Sequence, residues 1–471
     1  MPEYDVIVIG AGAVGENVAD RAVQGGLTTA IVEAELVGGE CSYWACMPSK
    51  ALLRSAAALR AAQDVEGATQ AITGGVDAAA VLRRRDRITN GRDDASQVQW
   101  LEGAGIDLVR GHATLTGVKR MQVTAPDGAV TELTARQAVV IATGSAALLP
   151  DIPGLAEIEP WTSRDATTAT HVPASLAILG GGVVGAEMAT AYAGLGSRVT
   201  LIVRGALLQQ MEPFAGELVA ASLEQLGVRI LTGVEVRGAR RTGETAQLDL
   251  SDGERVAADE VLIAVGRTPR TGDLGLDRIG IEPGRWLDVD DTMRVQGFDW
   301  LYAVGDVNHR ALLTHQGKYQ ARAAGDAIAA RAKGLPIHDA PWGAHVATAD
   351  HAHVPQVTFT DPEVASVGLT ESAARAAGHR IRVLDHDLAS IAGAATRADH
   401  YEGKARAIVD EDRGILIGAT FVGPDVAELL HSATIAIVGE VPLDRLWHAV
   451  PPYPTVSEVW LRWLEAYGRP A

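Results

Sequence analysis

Apolar residues come along this chain in short runs, and the runs stop at glycine. Val6-Ile-Val-Ile9 leads into Gly10-Ala-Gly12-Ala-Val-Gly15, and an alanine-rich stretch follows. The pattern returns about 170 residues on, where Leu176-Ala-Ile-Leu179 leads into Gly180-Gly-Gly182-Val-Val-Gly185 and a second alanine-rich stretch. A short apolar run bounded by glycine fits a buried strand, and the segment behind it is long enough for a helix. Both places therefore predict strand, tight turn, helix. Three more runs end the same way: Ala138-Val-Val-Ile-Ala-Thr-Gly144, Glu260-Val-Leu-Ile-Ala-Val-Gly266 and Trp300-Leu-Tyr-Ala-Val-Gly305. They read as crossings between domains. A helix is expected from about Pro48 to Gln63, then a polar, arginine-rich helical stretch to about Gly103. From residue 345 the character changes. Pro355-Gln-Val-Thr-Phe-Thr-Asp-Pro362 alternates like a strand and the final segment reads as helices, which predicts an α+β terminal domain.

The glycine turns carry chemistry. The first glycine of such a motif permits the turn and the second lets backbone approach a pyrophosphate. The third lets the helix pack closely, with its N-terminus facing the phosphates. Two of them, each between a strand and a helix, predict two dinucleotide sites on Rossmann-like α/β domains. An acidic residue about 20 positions past the first motif binds a ribose hydroxyl in such sites; Glu33 ends Thr28-Thr-Ala-Ile-Val-Glu33. The second motif differs. Arg198-Val-Thr-Leu-Ile-Val203 ends without a carboxylate, and Arg204 comes next. An arginine at that edge suits a 2′-phosphate, so NADPH is favoured there, with NADH as the alternative.

Size and charge bound the rest. At 471 residues the chain is too long for one core. Lys plus Arg number 41 and Asp plus Glu 59, a net charge of −18, and no basic run stands out, so nucleic acid is not an expected partner. The N-terminus enters a strand directly, with no signal-like or membrane-length apolar segment, and a cytoplasmic location away from membranes is the expectation. The only two cysteines, Cys41 and Cys46, share one loop, Gly38-Gly-Glu-Cys-Ser-Tyr-Trp-Ala-Cys-Met-Pro-Ser-Lys50. In a large chain of that location such a pair reads as redox-active or metal-binding.

With these motifs in view, the whole chain resembles the flavin-dependent pyridine nucleotide–disulfide oxidoreductases. They include dihydrolipoamide dehydrogenase, glutathione reductase, mercuric reductase and the soluble transhydrogenase. The resemblance rests on both glycine motifs, Cys41-x4-Cys46 with Pro48-Ser49-Lys50, Ala142-Thr143-Gly144, Val265-Gly266-Arg267-x-Pro269, Ala303-Val-Gly305-Asp306 and Pro454-Thr-x-Ser-Glu458. It implies FAD on Gly10, Gly12, Gly15, Glu33, Thr143, Gly144, Gly305 and Asp306. It implies NAD(P)H on Gly180, Gly182, Gly185, Arg204 and Gly266. The implied domains are FAD-binding (1–149 and 267–340), NAD(P)H-binding (150–266) and dimerisation (345–471). A homodimer follows, in which the Pro-Thr-x-Ser-Glu loop completes the partner's site. Electrons would pass from NAD(P)H through FAD to a Cys41–Cys46 disulfide. Cys46, next to a helix N-terminus, would face the flavin as thiolate, and Cys41 would meet the acceptor. Lys50 would stabilise charge on the flavin and pair with Glu187. The aromatic gate of glutathione reductase would fall at Val183.

One departure bears on the acceptor. The family's disulfide reductases carry a His–Glu dyad in which the histidine protonates the leaving thiol. Here Glu458 remains, but the histidine position is Tyr453. Tyrosine, with a pKa of about 10, is a poor base near neutrality, and losing the dyad slows dithiol exchange by roughly 10²–10⁴-fold. His448 and His315 are the nearby alternatives. Mercuric reductase and the transhydrogenase share the tyrosine. Mercuric reductase, however, adds a C-terminal cysteine pair, which the ending Tyr467-Gly-Arg-Pro-Ala471 lacks, and the transhydrogenase lacks the second relay cysteine. No resident metal site is expected. Ser42-Tyr43-Trp44-Ala45 is bulkier than the family's usual filling, and Trp44 either lines the substrate side or packs there. Three readings stay open. The first is an NAD(P)H oxidoreductase for a small acceptor, which is quinone-like, a metal ion or an unusual disulfide. The second is a true disulfide reductase whose proton donor is Tyr453, His448 or water. The third is a slow redox-sensing flavoprotein.

Overall fold

The computed structural model describes residues 2–469, so Pro470 and Ala471 of the C-terminal run lie outside it. The chain forms two units. One comprises Met1–Pro48, Asp86–Leu148 and Gly266–His351, and the other Ser49–Arg85, Leu149–Val265 and Ala352–Ala471.

The first unit is built on a sheet whose parallel part runs Asp107–Arg110, Thr29–Glu33, Glu3–Ile9, Val130–Ile141, with Leu301–Ala303 pairing beside the last. The strands Arg120–Thr124 and His112–Gly117 extend it antiparallel. Val6, Ile7, Val8, Ile31, Val139 and Val140 are fully buried. A parallel strand covered on both faces has no polar side, which is why these strands read as continuous apolar runs. Each such side chain contributes roughly 1.5–3 kcal/mol of burial. The helix Ala13–Gln24 packs along the helix Thr314–Ala332 through small buried residues, Ala19 and Ala22 on one and Ala321 and Ala324 on the other.

The second unit repeats the theme. Its parallel sheet runs Arg229–Thr232, Arg198–Val203, Ser175–Leu179, Glu260–Ile263. The helix Val183–Gly194 is buried from Gly185 to Tyr192, and its small residues allow that. An antiparallel five-stranded sheet runs Gln356–Thr358, Glu363–Gly368, Ile415–Gly423, Lys404–Asp410, Ile381–Asp387. Its central strand, Ile415–Gly423, is buried at every position. Helices Leu430–Val438 and Val459–Tyr467 add to that core.

Two local expectations shift. The strand read over 355–362 pairs only at Gln356–Thr358; proline at each end of that run brings no ladder donor. The helix expected from Pro48 begins at Cys46. Proline is tolerated in a first turn because those N–H groups lack intrahelical acceptors. Among the described residues no helix is long and apolar enough to cross a membrane.

Candidate functional site

The two glycine turns have the same steric signature. A Cβ on Gly10 would lie 2.6 Å from the Ala142 carbonyl oxygen, and one on Gly180 would lie 2.2 Å from that of Ala264. A Cβ on Gly15 would sit 1.9 Å from the Gly10 carbonyl oxygen, and one on Gly185 the same distance from that of Gly180. Gly10 and Gly180 also have φ of 102° and 113°, which only glycine adopts without strain. By contrast, nothing lies within 4 Å of a Cβ built on Gly182, and only Gly39 Cα, at 3.9 Å, approaches one on Gly12. The first and third glycines close the turn, and the second leaves open backbone at a helix N-terminus. That arrangement fits a pyrophosphate in each unit.

Beyond the first turn, Glu33 accepts the backbone N–H of Ala11 at 2.6 Å and of Glu35 at 2.7 Å. Burial raises its pKa, with those two N–H groups opposing. Ser145 donates its hydroxyl to Asp306, and Arg267 Nε donates to the same hydroxyl at 2.6 Å. Burial also raises Asp306, against the Ser145 hydrogen bond and the Arg267 charge. Thr143 donates to the Arg270 carbonyl at 2.7 Å, and the Gly144 carbonyl accepts the Arg270 N–H at 3.1 Å. Gly305 donates its N–H to Gln320 at 2.8 Å. Half-buried acceptors with fixed orientation beside a bare glycine turn fit FAD. Glu33 would hold its ribose, Gly12 its pyrophosphate and Asp306 its ribityl region. FAD would supply two-electron chemistry between a nicotinamide and a disulfide.

The cysteines sit at the ends of two short connected helices. Cys41 lies in Gly39–Tyr43, and Cys46 opens Cys46–Gln63. Both are half-buried free thiols joined by a hydrogen bond. Cys46 Sγ lies 3.4 Å from the Thr314 hydroxyl, which also reaches Cys41. Cys41 holds its proton more tightly than a free thiol. The hydrogen bond to Cys46 is the main cause, then burial, with Thr314 and the Lys318 charge opposing. The pair therefore keeps a proton on Cys41, and the helix start favours the negative charge on Cys46. Thr314 immediately precedes His315, one of the alternatives that the sequence offers for the proton donor. Its hydroxyl left no pattern, and only its place at a helix start after the Asp306 segment hinted at it. Tyr43 is buried and meets Trp44 edge-on at 5.7 Å.

In the second unit, Lys50 Nζ donates to both oxygens of Glu187, at 3.1 and 2.8 Å. The Phe359 N–H donates to Glu187 Oε1 at 3.0 Å, and the Lys50 ammonium lies 4.6 Å from the Phe359 ring centroid. Glu187 is 4 % exposed. The expected pair is thus formed, one turn along the helix that Cys46 opens, and Phe359 is a partner that sequence reasoning missed. Val183 is the first residue of its helix and is exposed. Arg204 follows its strand directly and is exposed, with no ion pair among the described residues. Gly266 falls in the first unit at φ 148°, where its carbonyl accepts the Leu148 N–H. Tyr453 is 76 % exposed and His448 is exposed, whereas Glu458 is buried. One Glu458 oxygen pairs with Arg462 and the other is buried without a hydrogen-bond partner among the described residues.

Comparison with known proteins agrees with this geometry. Residues 4–328 match the pyridine nucleotide-disulphide oxidoreductase family, and residues 354–463 match its dimerisation domain. A dihydrolipoyl dehydrogenase of Rhizobium etli is 34 % identical over 99 % of this chain and 98 % of its own. A mercuric reductase of Streptomyces lividans is 33 % identical over 97 % and 94 %. Among solved structures, the Cu(II) complex of the HOCl-induced flavoprotein disulfide reductase RclA from Escherichia coli superposes with a TM-score of 0.85 at 24 % identity, covering 99 % of this chain and all of that one. That likeness speaks for the mixed α/β fold. With two glycine turns, a paired-cysteine loop and these relatives, the chain belongs to the pyridine nucleotide-disulphide oxidoreductases, FAD-dependent enzymes that use NAD(P)H.

Proposed function

We propose that this enzyme takes electrons from NADPH, passes them through FAD to the Cys41–Cys46 pair, and delivers them at Cys41 to a small thiol-reactive acceptor. The acceptor is an unusual low-molecular-weight disulfide rather than lipoamide or glutathione disulfide. The observation that carries the reading is the hydrogen-bonded thiol pair with Thr314 against Cys46. An enzyme that reduced its acceptor at the flavin would need no such pair. In the acceptor half-reaction, the Cys41 thiolate attacks one sulfur of the disulfide. The acceptor S–S bond breaks, one thiol leaves with a proton, and a mixed disulfide remains. The Cys46 thiolate then attacks Cys41 Sγ, which releases the second thiol with a second proton and restores the enzyme disulfide. Two electrons and two protons are transferred, one proton from the Cys41 thiol and one from water. A soft metal ion is the second reading, since two adjacent thiols are a suitable ligand pair and mercuric reductases are among the relatives.

The NADPH preference is supported by Arg204 at the strand tip, where no carboxylate stands. Arg204→Ala is expected to raise the KM for NADPH about tenfold and leave that for NADH unchanged. Equal effects on both would assign the arginine to the surface. The enzyme works as a cytoplasmic homodimer in this reading. Support comes from the dimerisation-domain match and from the exposed Ile435, Val450 and Tyr453 in that region. The Tyr453–Glu458 loop of one protomer then completes the site of the other.

The test is anaerobic reoxidation. The FAD-loaded enzyme is reduced with NADPH and mixed separately with small disulfides, Hg(II) and a quinone. Fast reoxidation by a disulfide is the expected result. Reoxidation by the quinone alone would move the exit from Cys41 to the flavin.

A further inference from the structure

A buried carboxylate stands behind the segment assigned to FAD, and neither the thiol relay nor the acceptor chemistry uses it. Asp350 ends the short turn Thr348–Asp350, and its side chain is 1 % exposed. Gln316 Nε2 donates to its Oδ1 at 2.8 Å, and Gln320 Nε2 donates to its Oδ2 at 2.9 Å. Both glutamines are buried and lie four residues apart on the helix Thr314–Ala332, so one helix face presents two amides to one carboxylate. Arg310 is its ion-pair partner at 3.9 Å.

Gln320 carries the contact onward. Its Oε1 accepts the Gly305 N–H at 2.8 Å and Asn308 Nδ2 at 2.9 Å. Those two residues are the ends of the turn Gly305–Asn308, and Asp306 lies between them. One amide oxygen therefore holds both ends of the turn that bears Asp306. The amide has a single workable orientation. Reversed, its NH₂ would face two donors and its oxygen would face a carboxylate. Asp350 is the acceptor that enforces this orientation.

We propose that Asp350 is a positioning residue for FAD: it locks the Gln320 amide, the amide holds the Gly305–Asn308 turn, and the turn presents Asp306 to the ribityl region. The inference rests on the placement of FAD against Asp306. Without Asp350 the Gln320 NH₂ loses its acceptor in a fully buried site. The amide then turns toward other partners, and the Gly305 N–H and Asn308 lose an oxygen of fixed position. The same carboxylate grips Gln316, two residues after Thr314, whose hydroxyl contacts Cys46. One anion thereby sets both the helix start beside the thiol pair and the turn beside the flavin.

Three variants test this. Asp350→Leu keeps the branched shape and removes both acceptors. Gln320→Glu keeps an acceptor for Gly305 and Asn308 but sets a second carboxylate against Asp350. Adding Asp350→Asn to Gln320→Glu restores the pattern in reverse: the new amide donates to the new carboxylate, and its oxygen still accepts from Gln316. The FAD-loaded enzymes are diluted at about pH 8, where carboxylates are ionised, and well below their unfolding temperatures. Flavin that passes an ultrafilter is then followed with time. Asp350→Leu and Gln320→Glu are each expected to release FAD about tenfold faster than wild type, the weight of about one hydrogen bond, and the double variant to return to within about threefold. The visible circular dichroism of the flavin still bound should change in the first two and recover in the third. A merely structural role for Asp350 would lower the unfolding temperature and leave release and flavin spectrum as in wild type, and that result overturns the proposal. A double variant that releases FAD as fast as Gln320→Glu alone also overturns it, and this comparison decides the matter if Asp350→Leu does not fold. Asp306→Ala separates the premise from the inference. Wild-type release there would refute the placement of FAD on this turn and the proposal with it. Faster release there, beside wild-type release in Asp350→Leu, overturns the proposal alone.

Discussion

Cys41→Ser is expected to abolish turnover with every acceptor that sulfur must attack, by about 10³-fold or more, because no second nucleophile stands in for it. Quinone and dye reduction should stay close to the wild-type rate, since those acceptors take electrons from the cofactor. The substitution removes one atom's chemistry and little volume. Cys46 and its Thr314 contact at 3.4 Å remain. Steady-state rates with a disulfide and with a quinone, run on the same preparation, check this. If disulfide turnover survives, the thiol pair is not the exit. If both rates collapse, the residue is structural and the relay reading loses its main support.

Glu187→Leu should damage the nicotinamide half of the cycle and the fold together. Glu187 accepts three hydrogen bonds, two from Lys50 and one from the Phe359 backbone. Leucine leaves the Phe359 N–H without its acceptor and the Lys50 ammonium unpaired. The expected loss of stability is about 2 kcal/mol, set mainly by the orphaned N–H, because Lys50 is 36 % exposed and water screens its charge. A freed Lys50 no longer holds its place, and the rate of FAD reduction by NADPH should fall about 10²-fold. Glu187→Gln keeps the shape and an acceptor but loses the charge. It should recover most of the stability and little of the rate. Thermal unfolding and stopped-flow absorbance separate the two effects. Full-rate reduction in Glu187→Gln would show that the carboxylate charge plays no part in holding Lys50 for the reaction.

The fold was largely legible because parallel strands buried on both faces leave continuous apolar runs, and both glycine turns are sterically compelled. Local order in the chain decided these. The Lys50–Glu187 pair was legible only through resemblance, since its members are 137 positions apart. Phe359 and Thr314 were not legible. One contributes a backbone N–H and a ring face, the other a single hydroxyl, and neither group leaves a pattern in sequence. His448 and Tyr453 illustrate the opposite limit. Proximity in sequence placed both beside the dyad position, yet both are exposed in the single chain.

The duplicated turn has a consequence for redesign. A methyl group at the first or third glycine of either loop collides with backbone, so the four positions Gly10, Gly15, Gly180 and Gly185 offer an engineer no freedom. What differs between the loops is the tip of the following strand, a half-buried carboxylate at Glu33 and an exposed guanidinium at Arg204. If Arg204 chooses the nucleotide as proposed, that choice is separable from scaffold integrity. The turns form a fixed socket, and cofactor exchange would reduce to a one-residue edit at a solvent-accessible strand end, far less disruptive than remodelling either loop.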